Sequence, residues 1–349
     1  MVSMALACFI TLFVLFFLKP LAERIGLVDI PGGRKLHQHH TPLVGGIGVF
    51  LGALSLFLIY PDSFFHFSRL YLIAGFLLIV GVLDDLYDLK PNLRLSVHLS
   101  AGVMMIYWGN NVLLSLGDLF FMGDIILGFL AVPFTLFCVA SAINAVNMTD
   151  GVDGLLGGLM VITLALMGYL SYSANLMHEF NLIGILICCL LGFLVLNFRI
   201  PGRKRAVVFM GDAGSTVLGF ITAWLLIDMA HKNACPPTIM LWLIAHPLLD
   251  CAYVMYKRRS EGRGVFQAGR DHLHHLLLDF GLSVRQTVLI ICSWSLVLGG
   301  IGVLSWEIKL PDGFVFFSFM ALLLSYLKLI PMLARALQSK AKLIKHSEF

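Results

Sequence analysis

Six aspartates in three separated segments are the residues best equipped for chemistry. Asp84, Asp85 and Asp88 follow one apolar run, Asp150 and Asp153 follow another, and Asp212 precedes a third. In a helix, Asp84 and Asp88 are one turn apart and share a face, while Asp85 points about 100° away. Asn144, Asn147, Asp150 and Asp153 recur every three residues, a polar stripe emerging from an apolar helix. A carboxylate beside hydrocarbon is costly and marks function by default. A solvated loop charge is the plain alternative for any one of them, and a poor one for all six. Hard oxygen ligands at a water-lined edge suit Mg²⁺, with Mn²⁺ as an alternative ion; Mg²⁺ takes one or two carboxylates together with substrate phosphates. The spacing alone specifies a divalent-cation site and no more.

Three further motifs accompany the acids. The run Val208-Phe209-Met210-Gly211-Asp212-Ala213-Gly214-Ser215-Thr216 places two glycines and a hydroxyl pair at the start of a helix. Exposed N–H groups there favour phosphate, whereas small residues equally serve close helix packing in membranes. Asp212, after Arg203-Lys204-Arg205, tilts this toward a metal-bridged pyrophosphate. In Arg270-Asp271-His272-Leu273-His274-His275, the histidines could be zinc ligands, anion contacts or a polar loop. A helical reading puts His272 and His275 on one face and His274 apart. No cysteine lies nearby to complete a zinc site, so phosphate or nucleotide contacts are favoured. Arg34-Lys35-Leu36-His37, ahead of Pro42 and Gly45-Gly46, is a basic cluster suited to substrate or simply to anionic lipid.

The elements that must hold these residues are membrane spans. Hydrophobic residues make up 59% of 349 positions and charged residues 13%, against roughly 45–50% and about 25% in soluble domains. Eleven apolar segments are expected, near Val2–Leu18, Leu43–Tyr60, Leu70–Leu83, Leu95–Trp108, Ile125–Ala142, Leu155–Tyr172, Leu182–Leu196, Ser215–Ala230, Thr238–Tyr256, Thr287–Leu304 and Gly313–Ile330. Pro20, Pro42, Pro61, Pro91, Pro201, Pro236 and Pro311 fall in the expected gaps, and Pro133 and Pro247 inside spans. The first run has no basic residue before it and Lys19 after it, unlike a secretory signal, so it reads as a retained span. Twenty of the 24 basic residues fall in one set of alternate loops and the tail. The positive-inside rule puts that set in the cytoplasm, the N-terminus in the periplasm and the C-terminus inside. The acids then gather at the cytoplasmic boundary. Six of the seven cysteines lie in apolar runs, as small membrane hydrophobes. The expected fold is all-α and polytopic, one integral-membrane domain over 1–349. Its catalytic cytoplasmic loops are expected near 19–42, 84–94, 143–154, 197–214 and 257–286, with a basic tail at 332–349.

Together these motifs resemble the polyprenyl-phosphate N-acetylhexosamine-1-phosphate transferases. The matching pieces occur in the family's order: Arg34-Lys35-x-His37 with Pro42-x-x-Gly45-Gly46, Leu83-Asp84-Asp85, Asn144 to Gly154, Phe209 to Ser215, and His272-x-His274-His275. The resemblance runs from about Gly26 to about Gln286. The His-x-His-His form resembles the WecA-type enzymes, whereas MraY-type enzymes carry three histidines in a row. Close WecA relatives tend to have Pro-Asp-Arg before the histidines; this chain has Ala268-Gly269-Arg270, keeping the arginine in a changed loop.

The resemblance implies transfer of GlcNAc-1-phosphate from UDP-GlcNAc to undecaprenyl phosphate. It implies a bacterial inner-membrane enzyme, facing the cytoplasm, that initiates surface polysaccharide of the O-antigen or enterobacterial-common-antigen type. Mg²⁺ would be held by Asp212 and Asp85. Asp84, Asp85, Asp150, Asp153, His272, His274 and His275 would be catalytic, Asp84 as a candidate base for the lipid phosphate. Arg34, Lys35, His37, Asn147, Gly211, Ser215 and Arg270 would bind substrate. The expected partners are the two substrates and the bilayer, with no nucleic acid, and a homodimer is an open expectation. The alternatives are another UDP-N-acetylhexosamine as donor and, from a different class, an ion-coupled transporter.

Overall fold

The computed structural model describes residues 2–29, 40–200, 202–203, 205–264 and 269–347, the side chains of 2–3 and 333–347 apart. Arg34, Lys35, His37 and Lys204 lie outside the described residues. Eight described helices are long and apolar enough to cross a membrane, or nine if one bent pair counts as a single span. They are α1 (Val2–Ile25), α5 (Ser68–Tyr87), α7 (Ala131–Thr149, preceded by a 3₁₀ turn), α8 (Leu155–Ser173), α9 (Met177–Asn197), α10 (Gly211–His231), α14 (Val284–Glu307) and α15 (Asp312–Ser347). The bent pair is α11 (Pro237–Leu243) and α12 (Ala245–Ser260), which meet at 79°. The chain is thus a helical, multi-pass membrane protein.

The other two expected spans are shorter elements. One divides into α2 (Gly45–Ala53) and α3 (Leu56–Ile59), followed by the short α4 (Pro61–His66); the other is the 17-residue α6 (Pro91–Tyr107). Several helices outrun their expected ends. Pro20 lies inside α1 rather than in a gap. Asp84 and Asp85 occupy the last turn of α5, Asn144 and Asn147 belong to α7, and Asp212 to α10. The parts of 84–94, 143–154 and 197–214 that carry these residues are therefore helical, because a helix continues past the hydrocarbon until a cap or turn stops it. Asp88 in the left-handed region (φ 50°) ends α5. Pro247 is the third residue of α12. Continuing the helix from α11 would drive its ring into the Leu243 carbonyl, so the chain breaks at Ile244 (φ −113°, ψ 27°).

Helix α10 is the axis of the molecule and packs against α5, α7 and α2. The approach is close enough that a Cβ on Gly46 would collide with the Gly214 backbone, and one on Gly81 with Ala213. Its 21 residues span about 30 Å, the thickness of a bilayer's hydrocarbon, and the two ends differ in character. At the C-terminal end Lys232 pairs with Asp228 at 2.8 Å and with buried Glu179, beside the stacked His66 and His178 rings. At the N-terminal end lies the cluster of catalytic candidates.

Candidate active site

The start of α10 is built from three strands of chain held together by backbone bonds. A two-residue antiparallel pair, β1 (Val28–Asp29) with β2 (Thr41–Pro42), leads into α2. Phe209 N–H donates to the Pro42 carbonyl at 2.9 Å, Gly45 N–H to Phe209 at 2.8 Å, and Gly46 N–H to Met210 at 2.9 Å. The turn then enters α10 through Gly211, whose φ of +78° requires glycine.

Asp85 closes that turn. Its Oδ1 accepts the Asp212 N–H at 2.8 Å and its Oδ2 the Ala213 N–H at 3.2 Å. A carboxylate thus occupies the helix N-terminus where a phosphate was expected, satisfying two of its free donors and the dipole. Gly211 and Ser215 are scaffolding here rather than exposed phosphate contacts. Ser215 is fully buried and accepts from Asn147 Nδ2 at 2.8 Å, and the small residues give the close packing that was their alternative reading.

Asp212 is held from two sides. Asn147 Nδ2 donates to its Oδ1 at 2.9 Å, and Arg94 Nη1 reaches its Oδ2 at 3.4 Å. Arg94 also pairs with Asp84 at 2.9 Å and Asp88 at 2.7 Å, although Asp88, left-handed at the end of α5, is outside the helix whose face it was expected to share with Asp84. Asp84 further accepts the Leu89 N–H at 2.8 Å. Asp212 keeps 38% side-chain exposure, whereas Asp84 is buried and Asp85 spends both oxygens on the backbone.

Asp150 follows α7, its carboxyl pushed up to about 7 by burial and then by the charges of Asp212, Asp153 and Asp29. Asp153 is spoken for: Arg199 Nε pairs with its Oδ2 at 2.7 Å, and the Ala206 N–H donates to the same oxygen at 3.1 Å. Together with Asn197, which accepts the Gly154 N–H and donates to the Val208 carbonyl, it ties the α7–α8 loop to the strand leading into α10.

The histidines arrive from α13 (Leu273–Asp279). His272 is its extended N-cap (φ −67°, ψ 152°) and not a helical residue, so it does not share a helix face with His275. Its ring stacks on His274 instead, with centroids 5.3 Å apart and planes at 8°. His274 abuts the α7–α8 loop so closely that a Cβ on Gly151 would strike its imidazole. Burial, then the neighbouring His275, lowers His274 to about 3; burial, then Arg270, lowers His275 to about 4. At those values both rings are neutral at pH 7. His274 Nε2 and His275 Nδ1 are buried without a protein partner. Arg270 pairs with the exposed Asp279 at 2.7 Å. Asp271 is a separate anchor. Burial works against its ionised form, but the bonds from Arg263 and Lys257 outweigh that and hold it near 2.

Among the described residues no three His, Cys, Asp or Glu side chains are placed to share one ion. The donor set nevertheless fits a hard divalent cation. Arg94 bridges Asp84 and Asp212, the charges of Asp85 and Asp150 lie close enough to feel that of Asp212, and all the candidate ligands are oxygens. Asp212 is the carboxylate open to it.

Residues 67–230, which include all six aspartates, match the model of glycosyl transferase family 4. The undecaprenyl-phosphate α-N-acetylglucosaminyl 1-phosphate transferase of Escherichia coli O157:H7 is 40% identical over 300 residues, 85% of this chain and 81% of that one. The chain belongs to the polyprenyl-phosphate N-acetylhexosamine-1-phosphate transferases. Its likeness extends to the same-named proteins of Yersinia pestis, 42% identical over 293 residues (83% and 80%), and Haemophilus influenzae Rd, 37% identical over 324 (92% and 90%). Membership in this transferase family removes the transporter alternative.

Three residues of the candidate site carried no site role in the sequence reading, Asp250 being weighed only as a span-end acid under the transporter alternative. Arg94 and Arg199 counted only as orientation charges, yet each holds a motif aspartate. Asp250 lies in α12, where its buried carboxylate accepts His272 Nδ1–H at 2.7 Å and the Leu273 N–H at 2.9 Å. A carboxylate within an apolar run was its available signal.

Proposed function

We propose that this chain transfers GlcNAc-1-phosphate from UDP-GlcNAc to undecaprenyl phosphate, giving undecaprenyl-pyrophosphoryl-GlcNAc and UMP, at the cytoplasmic face of the bacterial inner membrane. The observation that carries the reading is the fixed presentation of Asp212, capped at its helix by Asp85 and gripped by Asn147 and Arg94. The names of relatives about 40% identical over most of their length support the donor and the acceptor. Charge placement supports eleven spans with the C-terminus inside: Lys90, Arg94, Arg199, Arg203, Lys257 and Arg270 border the acidic end of the bundle.

Phosphoryl transfer of this kind is mostly positioning and charge neutralisation. Asp212, with Asp85 or Asp84 nearby, would hold Mg²⁺, which when bound would neutralise the pyrophosphate. The residues supply the rest. Arg94 keeps Asp84 and Asp212 from repelling one another and turns Asp212 outward. Asn147 orients the second Asp212 oxygen. Asp84 stands as a base for the lipid phosphate, and Asp150 and Asp153 frame the nucleotide side. The neutral His274 and His275 offer hydrogen bonds to phosphate or sugar without adding charge. Arg34, Lys35 and His37 serve as further substrate contacts, and the product feeds surface-polysaccharide synthesis.

The test is UMP release by purified protein given undecaprenyl phosphate and a panel of UDP-N-acetylhexosamines, with EDTA or Mg²⁺. Release only with Mg²⁺ and lipid, fastest with UDP-GlcNAc, supports the proposal. A preference for another donor overturns the sugar, and EDTA-resistant release overturns the metal.

A further inference from the structure

Asp250 is a buried acid that the proposed reaction leaves unused. It lies on α12, one and a half turns past the break at Ile244, and is 2% exposed. An isolated carboxylate there would be costly unless fully hydrogen-bonded. It has three donors: His272 Nδ1–H at 2.7 Å on one oxygen, and the Leu273 N–H at 2.9 Å with Tyr326 O–H of α15 at 3.4 Å on the other. Leu273 is the first residue of α13, so the same group caps the helix that carries His274 and His275.

The bond to Nδ1 has a chemical consequence. A carboxylate can only accept from that nitrogen, which fixes a proton on Nδ1. It also fixes the ring plane. His274 stacks parallel on His272, and His274 in turn abuts Gly151, next to Asp150. A continuous set of contacts therefore runs from α12 and α15, through His272 and His274, to the aspartate loop.

We propose that Asp250 is a positioning residue for the histidine motif, setting the tautomer and ring plane of His272 and, through the stack, seating His274 against the Asp150–Gly151 loop, with Tyr326 as its second support. This rests on the reading of the histidines as substrate contacts. Asp250 touches no substrate; it acts through His272.

The experiment compares full-length Asp250→Asn, Asp250→Glu, His272→Ala and the Asp250→Asn/His272→Ala pair, measuring kcat, KM for each substrate and thermal midpoint in detergent. Removal of an orienting carboxylate is expected to lower kcat by about 10- to 100-fold, with KM for undecaprenyl phosphate within about threefold of wild type. Asp250→Glu should recover part of the loss. The double variant should be no slower than the slower single variant, because both changes disable one unit. Multiplying losses in the double variant, or wild-type kcat in folded Asp250→Asn, would overturn the positioning role. Near-normal turnover of His272→Ala would overturn it together with the reading of His272 as a substrate contact, whereas an impaired His272→Ala with multiplying losses sinks the positioning role alone. Should Asp250→Asn fail to fold, Tyr326→Phe carries the same cycle. A kcat loss that vanishes in the His272→Ala background supports the proposal, and one that persists overturns it.

Discussion

Adding a single methyl group at Gly211 should disable the transferase although it removes no functional side chain. The Gly211 φ of +78° strains any other residue, at a cost of about 1–3 kcal/mol. The new Cβ would lie 2.6 Å from Asp85 Oδ2, well inside contact distance. The carboxylate must retreat, weakening its bonds to Asp212 and Ala213 N–H, and loss of such a cap costs about 1–2 kcal/mol. Gly211→Ala should therefore lose roughly 2–5 kcal/mol of stability. Asp212 is the next residue, and a displacement near 1 Å at a reacting centre costs about 10²-fold in rate. Gly75→Ala in α5 is the matched control, because its Cβ meets only Phe50 Cζ at 3.4 Å and alanine is the better helix former. Thermal midpoint and turnover, measured on both variants in one detergent, decide the matter. A Gly211→Ala protein with wild-type midpoint and turnover would refute the capped turn as the device that presents Asp212.

Asp212→Asn keeps the Asn147 contact but loses the charge; turnover should fall by about 10³-fold or more with normal membrane insertion, and near-normal turnover would remove Asp212 as the metal ligand. The raised Asp150 gives a pH signature. Between about pH 4 and pH 7 the native state holds a proton that the unfolded chain has released, so this group subtracts stability as pH rises through that window. In metal-free protein the midpoint should fall across the window more steeply for wild type than for Asp150→Asn; equal slopes would contradict the shift. Asp153→Ala strands Arg199 and the Ala206 N–H, and should cost about 1–3 kcal/mol in a denaturation midpoint; a neutral result would mean that loop is held otherwise.

The residues that the fold groups at this site were more legible than its carpentry. Residue types and order sufficed to single out aspartates that the fold groups near the start of α10, because a carboxylate beside a membrane span has few structural excuses. Helix ends were misplaced, since apolar runs mark where hydrocarbon begins and say little about where a helix stops; Asp84, Asn147 and Asp212 are all helical for that reason. The Gly211–Ser215 turn was half read. Its glycines do mark a helix N-terminus, but the anion seated there is Asp85, from a segment 127 residues away in sequence. His272 followed a helical period on paper and caps α13 in the fold, because Asp250 binds its ring and the first N–H of α13 together. Such pairings belong to tertiary structure, and no local pattern encodes them.

The most direct test of the central claim is the fate of the two donor phosphates. UDP-GlcNAc labelled with ³²P at the sugar-bearing phosphate, given to purified protein with undecaprenyl phosphate and Mg²⁺, should pass its label to the lipid and release unlabelled UMP. Release of labelled UDP, with the sugar alone on the lipid, would contradict the account at its root.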